Sequence, residues 1–129
     1  ESLSSPSYGQ IANYWILADM DRCACFTECR NRVIAEFDGA PAPNRIVCVN
    51  RSIEAWYVAG FTGAALFRKL QFGAAEGLHK SDFDQSIRKL GYSPSRRSEI
   101  LMGMLQDYNL ELARQRSPSL DYFCRKLGL

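Results

Sequence analysis

The chain has 129 residues, of which 47% are hydrophobic and 23% charged, a composition that excludes a wholly disordered chain, a collagen-like repeat and a coiled coil. Sixteen basic and fourteen acidic residues leave a formal net charge of +2, which neither requires nor excludes a nucleic-acid partner. This length predicts a single domain. No apolar run is long enough for a membrane-spanning helix, so no membrane association is expected.

The first half of the chain predicts a strand–helix–strand–helix core over residues 13–60, preceded by a Ser/Pro/Gly-rich linker at residues 1–12. Aromatic and β-branched residues at 14–18 form a short apolar run that is typical of a buried parallel strand. Residues 23–37 have helical spacing, and a second apolar run at 45–49 predicts another strand. Such a unit closes with its strands parallel and its crossover right-handed.

The rest of the chain, residues 61–129, is predicted to be mainly helical. A helix at 52–61 is followed by a short one at 63–72, one that ends at residue 90, a longer one that reaches residue 116 and a last one at 120–127. Ser81 or Asp82 can cap the third of these helices, and Ser95 or Ser98 the fourth. Ser117-Pro118-Ser119 separates the last two. The expected fold is therefore α/β, with a small parallel sheet, flanking helices and a helical C-terminal half.

Only two strands are convincing, whereas sheets usually have about 4–6 strands. Three explanations stay open: a further strand lies within residues 7–12, a partner chain supplies strands, or residues upstream of Glu1 do.

Acidic residues follow the first predicted strand and lie near the end of the second. Asp19 and Asp21 come directly after the first strand, and Glu54 follows the second within one helical turn. Ligands bind outside the carboxyl ends of the strands in open α/β sheets, and a hard cation such as Mg²⁺ would relieve the repulsion between these carboxylates. The alternatives are that Asp21 caps the following helix and that Glu54 is a first-turn acid favoured by the helix dipole.

The five cysteines predict free thiols in a reducing cytoplasm rather than a disulfide scaffold, which would usually have an even number. Cys23, Cys25 and Cys29 have a spacing that suggests zinc, but His79 is the single histidine and a structural site needs four ligands. Small core-facing thiols are the alternative, and a Cys–His nucleophile would have to use His79.

Three segments together resemble a known family. Tyr14-Trp15-Ile16-Leu17-Ala18-Asp19-Met20-Asp21 is similar to the Asp-x-Asp strand of TOPRIM-type domains. Arg51-Ser52-Ile53-Glu54-Ala55-Trp56-Tyr57 and the late turn Ser117-Pro118-Ser119-Leu120 extend the resemblance to an uncharacterised, mostly prokaryotic TOPRIM-like family related to overcoming-lysogenization-defect nucleases.

The resemblance implies a nucleic-acid-processing module that cleaves phosphodiesters with Mg²⁺ or Mn²⁺. It implies that Asp19 and Asp21 are metal ligands and that Glu54 is a nearby site acid, which adds a ligand or orients a water. The family's N-terminal half, with its glutamate-bearing first strand, has no counterpart here, so the module is expected to be incomplete. Arg51 is expected to reach phosphate, although it could equally pair with the helix that carries Glu54.

A non-catalytic alternative is an assembly module whose exposed sheet edge pairs with another chain, in the simplest case as a symmetric dimer. Basic residues and tyrosines are also interleaved in the C-terminal third. They would suit either a phosphate-backbone groove or an ordinary solvated helical surface.

Overall fold

The computed structural model describes residues 14–39, 41–63 and 75–129. Its fold is α/β: a small parallel sheet flanked by helices, as the sequence predicts. Within the described ranges the elements are β1 (Ile16–Asp19), α1 (Phe26–Glu36), β2 (Ile46–Val49), α2 (Ile53–Gly60), α3 (Lys80–Lys89), α4 (Arg97–Met104), α5 (Leu110–Arg116) and α6 (Pro118–Lys126).

The sheet of the described residues has two strands, β1 and β2, which pair in parallel with Ile16 opposite Ile46 and Asp19 opposite Val49. Because side chains alternate along a strand, the sheet presents two different faces. Both strands lie close to their predicted positions. The hypothetical strand at residues 7–12 and the linker at 1–12 lie outside the described residues.

Each face of the sheet has its own hydrophobic core. Cys29 and Val33 of α1 pack with Ile46 and Cys48 on one face. On the other face Val47 and Val49 belong to a larger core, to which α2 contributes Trp56 and the helices of the C-terminal half contribute Phe83, Ile87, Ile100, Met104, Leu120 and Cys124.

The prediction of one long helix that reaches residue 116 is wrong, because the structure has two helices there, α4 and α5. A 3-10 turn at Leu105–Asp107 ends α4, and Tyr108 is extended and bridges to Phe61. The Tyr108 hydroxyl donates to the backbone oxygen of Trp56 at 2.6 Å, and the Asn109 N–H donates to the Gly60 oxygen at 2.9 Å. These contacts with α2 replace the helical hydrogen bonds that a continuous helix would have made.

The caps of the later helices also differ in part from the prediction. His79, not Ser81 or Asp82, precedes α3, and the Asp82 carboxylate accepts from the His79 N–H at 3.0 Å. Ser117 caps α6, with Pro118 at the first helical position. Of the predicted helix at 63–72, all but the first residue lies outside the described residues.

Candidate functional site

Asp19 joins the end of β1 to the start of α2. The Ile53 N–H, at the first residue of α2, donates to Oδ1 of Asp19 at 2.8 Å. A helix N-terminus favours a negative charge, so Asp19 supplies the side-chain cap that Ser52 does not. Ser52 instead donates its hydroxyl to the Leu78 oxygen at 3.0 Å. The hydrogen bond from the Ile53 N–H engages only Oδ1 of Asp19.

Burial raises the pKa of the Asp19 carboxyl above its ordinary value, and the negative charges of Glu54 and Asp21 raise it further. The Ile53 N–H and the positive charge of Lys80 oppose this increase in pKa. Glu54 and Asp21 are therefore each within electrostatic range of Asp19, as the geometry of a parallel sheet predicts.

Glu54 is the most buried of the three acids, with a side chain that is 5% exposed. Its Oε1 lies 3.9 Å from Nε of Arg97. Its Oε2 is buried and has no hydrogen-bond partner among the described residues. An unsatisfied buried carboxylate oxygen is costly for a folded protein, and Oε2 of Glu76 is in the same condition.

Arg97 is held beside Glu54 by a second acid. Its Nε and Nη2 donate to the two oxygens of Asp84 at 2.8 and 2.6 Å, a bidentate pair. This hydrogen-bonded pair raises the pKa of the Arg97 guanidinium. Because the single hydrogen of Nε is donated to Asp84, the 3.9 Å contact of Nε with Oε1 of Glu54 is an ion pair rather than a hydrogen bond.

Asp21 pairs with His79 across the same edge of the sheet. The Asp21 Oδ1 and the His79 Nδ1 are 3.0 Å apart. Asp21 therefore faces α3, and the alternative that it caps the helix after β1 is not what the structure shows, because α1 has no side-chain cap. One oxygen of each predicted acid now has a protein partner: Ile53 for Asp19, His79 for Asp21 and the charge of Arg97 for Glu54.

Arg51 forms hydrogen bonds with the backbone of the loop that follows β1. Its Nη1 donates to the backbone oxygens of Cys23 and Met20 at 2.7 and 3.4 Å. The Asn50–Arg51 peptide bond is cis. The alternative pairing with the helix of Glu54 is not formed among the described side chains, where the guanidinium contacts backbone oxygens only.

Sequence reasoning missed three members of this site: His79, Asp84 and Arg97. All three lie on or beside helices that are far along the chain from β1, and no local spacing links them to Asp19. A weak signal was present in His79, which is the single histidine of the chain and directly precedes a predicted helix.

The fit of a metal to this edge can be judged from its donors. No group of three or more His, Cys, Asp or Glu side chains within the described ranges is arranged to hold a metal ion. Mg²⁺, however, usually binds through one or two carboxylates and takes its other ligands from water and substrate phosphate. Two carboxylates of this edge, for example those of Asp19 and Asp21, would be enough for such a partial ligand set.

The cysteines lie elsewhere. Cys29 and Cys48 belong to the smaller core, where burial raises the pKa of both thiols. Cys23 is also buried there, while Cys25 is exposed. Cys23 and Cys29, two of the three thiols with zinc-like spacing, thus fill a hydrophobic core, and Cys25 lies outside it.

Comparison with known proteins adds no family or relative. No protein-family model matches the chain, no curated protein matches it, and no solved structure matches it. Among the described helices, none combines the length and the apolar character that crossing a bilayer requires.

Proposed function

We propose that the acidic edge of the sheet binds Mg²⁺ or Mn²⁺ and that the chain is a TOPRIM-like module which acts on nucleic-acid phosphodiesters. One observation supports the proposal: the charges of Glu54 and Asp21 both act on Asp19 at the end of β1, and Oε2 of the buried Glu54 has no partner among the described residues. A bound cation would supply charge neutralisation at a scissile phosphate and would activate a water.

The chain's own residues have separable roles in this proposal. Asp19 and Asp21 are the metal ligands, each presenting the oxygen that Ile53 or His79 does not engage. Glu54 orients a water or adds a ligand through Oε2. Arg51, whose Nη1 is engaged with the backbone, directs its remaining donors toward phosphate.

The first experiment is a titration of Mg²⁺ and Mn²⁺ into the 129-residue chain, followed by amide chemical shifts. We expect saturable shifts around Asp19, Asp21 and Glu54 that disappear in Asp19→Asn. Asp107→Asn is the matched control, since it removes one exposed carboxylate from a turn distant in sequence from the acidic edge. Equal responses of the two variants, or no localised shift at millimolar metal, would contradict the metal site.

Nuclease assays on single- and double-stranded DNA and RNA then test the phosphodiester step. Activity that needs divalent metal and is abolished in Asp19→Asn supports the proposal. Activity that survives unchanged in a folded Asp19→Asn protein rules it out.

A second candidate, assembly through the sheet edge, is favoured by the exposure of β1. Leu17 is 43% exposed, whereas its neighbour Val47 on the same face of β2 is 2% exposed. Both strands are edges of this two-stranded sheet within the described residues, and the difference arises because the larger core covers Val47 but does not include Leu17. A second copy or another chain could cover this edge.

Sedimentation of the wild type and of Leu17→Lys tests the second candidate. A dimer that Leu17→Lys dissociates, and that Asp19→Asn leaves intact, supports assembly through β1. A wild-type monomer at all accessible concentrations contradicts self-association.

A further inference from the structure

A polar pocket opens at the amino ends of the two strands, at the end of the sheet opposite the acidic edge. It has a volume of about 620 Å³ and is lined by Trp15, Asn44, Arg45, Lys126 and Leu127. Trp15 directly precedes β1 and Arg45 directly precedes β2, so the register that pairs Ile16 with Ile46 also brings these two side chains together. We infer that this pocket binds the phosphate backbone of a single-stranded nucleic acid.

The identity of the ligand rests on the proposed function, whereas the anionic chemistry follows from the pocket. Two cations, Arg45 and Lys126, line it. Neither has a carboxylate within ion-pair distance among the described residues, which is also true of exposed cations such as Arg88 and Lys89. What distinguishes Arg45 and Lys126 is that both line one concave site. Two uncompensated positive charges in one concave site favour an anion.

Arg45 is oriented before any ligand arrives. Its guanidinium carbon lies 5.1 Å from the centroid of the Trp15 ring and 5.8 Å from that of Tyr14. Stacking on aromatic faces fixes the plane of the guanidinium while its N–H donors stay available at the edge. A fixed guanidinium fork suits bidentate binding of a phosphate.

The helix α6 delivers the second cation. Phe123 packs edge-on against Trp15, with ring centroids 5.7 Å apart, and stacks on Trp56 in the core. Lys126 is three residues further along the same helix and therefore lies on the same face. Its ammonium nitrogen lies 5.3 Å from the centroid of the Tyr122 ring. The pocket is thus fixed to the core through Phe123.

Single strands fit this pocket better than duplexes do, because its cations are interleaved with aromatic rings. Trp15, which is half-buried, lies in the pocket wall beside Arg45, and aromatic rings beside a cationic groove are stacking platforms for unpaired bases.

Binding of a fluorescein-labelled oligothymidylate, followed by fluorescence anisotropy in EDTA, tests the inference without any contribution from a divalent metal. We expect the double variant Arg45→Gln/Lys126→Gln to bind about tenfold more weakly. The slope of log affinity against log salt concentration should fall by about 0.7 for each cation removed. Arg88→Gln/Lys89→Gln, which removes two exposed charges from α3, is the control and should bind like the wild type.

Three results would overturn the inference: no binding by the wild type, equal weakening in both double variants, or equal affinity for a duplex. Thermal melting reports whether the loss of Arg45, which lies over the rings of Tyr14 and Trp15, destabilises the fold. If it does, the single variant Lys126→Gln, at an exposed residue, still tests the inference. Binding that persists in Asp19→Asn supports the pocket even where the metal titration fails. Metal binding with no oligonucleotide binding removes this inference alone.

Discussion

Arg97→Gln is the most informative substitution in the acidic site. Arg97 is 23% exposed and stands between Asp84, 15% exposed, and Glu54, 5% exposed. The substitution removes two charge-assisted hydrogen bonds to Asp84 and leaves both carboxylates without their compensating charge. Removing one partner of a fully buried ion pair costs about 3–5 kcal/mol. Because Arg97 is partly exposed, we expect the free energy of unfolding to fall by about 2–4 kcal/mol.

Urea and thermal unfolding measure this loss, which corresponds to a decrease of about 8–15 °C in melting temperature for a chain of this size. The adjacent Arg96→Gln is the matched control: Arg96 pairs with Glu99 on the surface, and its loss should leave the melting temperature close to that of the wild type. Glu54→Gln in the Arg97→Gln background should recover part of the loss. If Arg97→Gln is no more destabilising than Arg96→Gln, then the buried carboxylates do not depend on Arg97 and the reasoning is wrong.

Three further predictions follow from individual contacts. Burial and neighbouring charges raise the pKa of Asp19 above its ordinary value of 3.8, so its ionisation destabilises the fold. The contribution of Asp19 to the unfolding free energy should decline as pH rises above 3.8 and through the raised pKa, and Asp19→Asn should remove this decline from thermal melts. Gly60→Ala places a methyl group in the Tyr108 ring and should lower the urea midpoint by an amount that corresponds to about 1–3 kcal/mol. Ser119→Ala removes the acceptor of the Trp56 indole N–H, 2.9 Å away in the core, and should cost about 1–3 kcal/mol in the same assay.

The sheet and its acidic edge could be predicted because both depend on local signals. The apolar run before Asp19 indicates a buried strand, and parallel pairing places the carboxyl ends of both strands at one edge. That argument brings Asp19 close to Glu54 without any knowledge of the helices. It also explains why the boundaries of β1 and β2 lie within two residues of those predicted.

The break at Tyr108 could not be predicted in the same way. Residues 97–116 contain no proline, and their single glycine, Gly103, does not mark the break. The chain leaves the helix because the Tyr108 hydroxyl binds the Trp56 oxygen and its ring lies against Gly60. These contacts join segments about fifty residues apart, and helical propensity carries no information about them.

The residues that pair with the acids could not be predicted from local sequence either. Their contacts also explain why Oε2 of Glu54 has no partner among the described residues. A simple core ion pair would bring Arg97 into hydrogen-bond contact with Glu54. Instead, Nε of Arg97 donates its single hydrogen to Asp84 at 2.8 Å, so Glu54 receives charge compensation at 3.9 Å and its Oε2 has no partner among the described residues. An unpaired buried acceptor costs about 1–3 kcal/mol, and Oε2 of Glu76 is unpaired in the same way. The chain retains that cost at the carboxyl end of a parallel strand pair, where a bound cation or water would remove it.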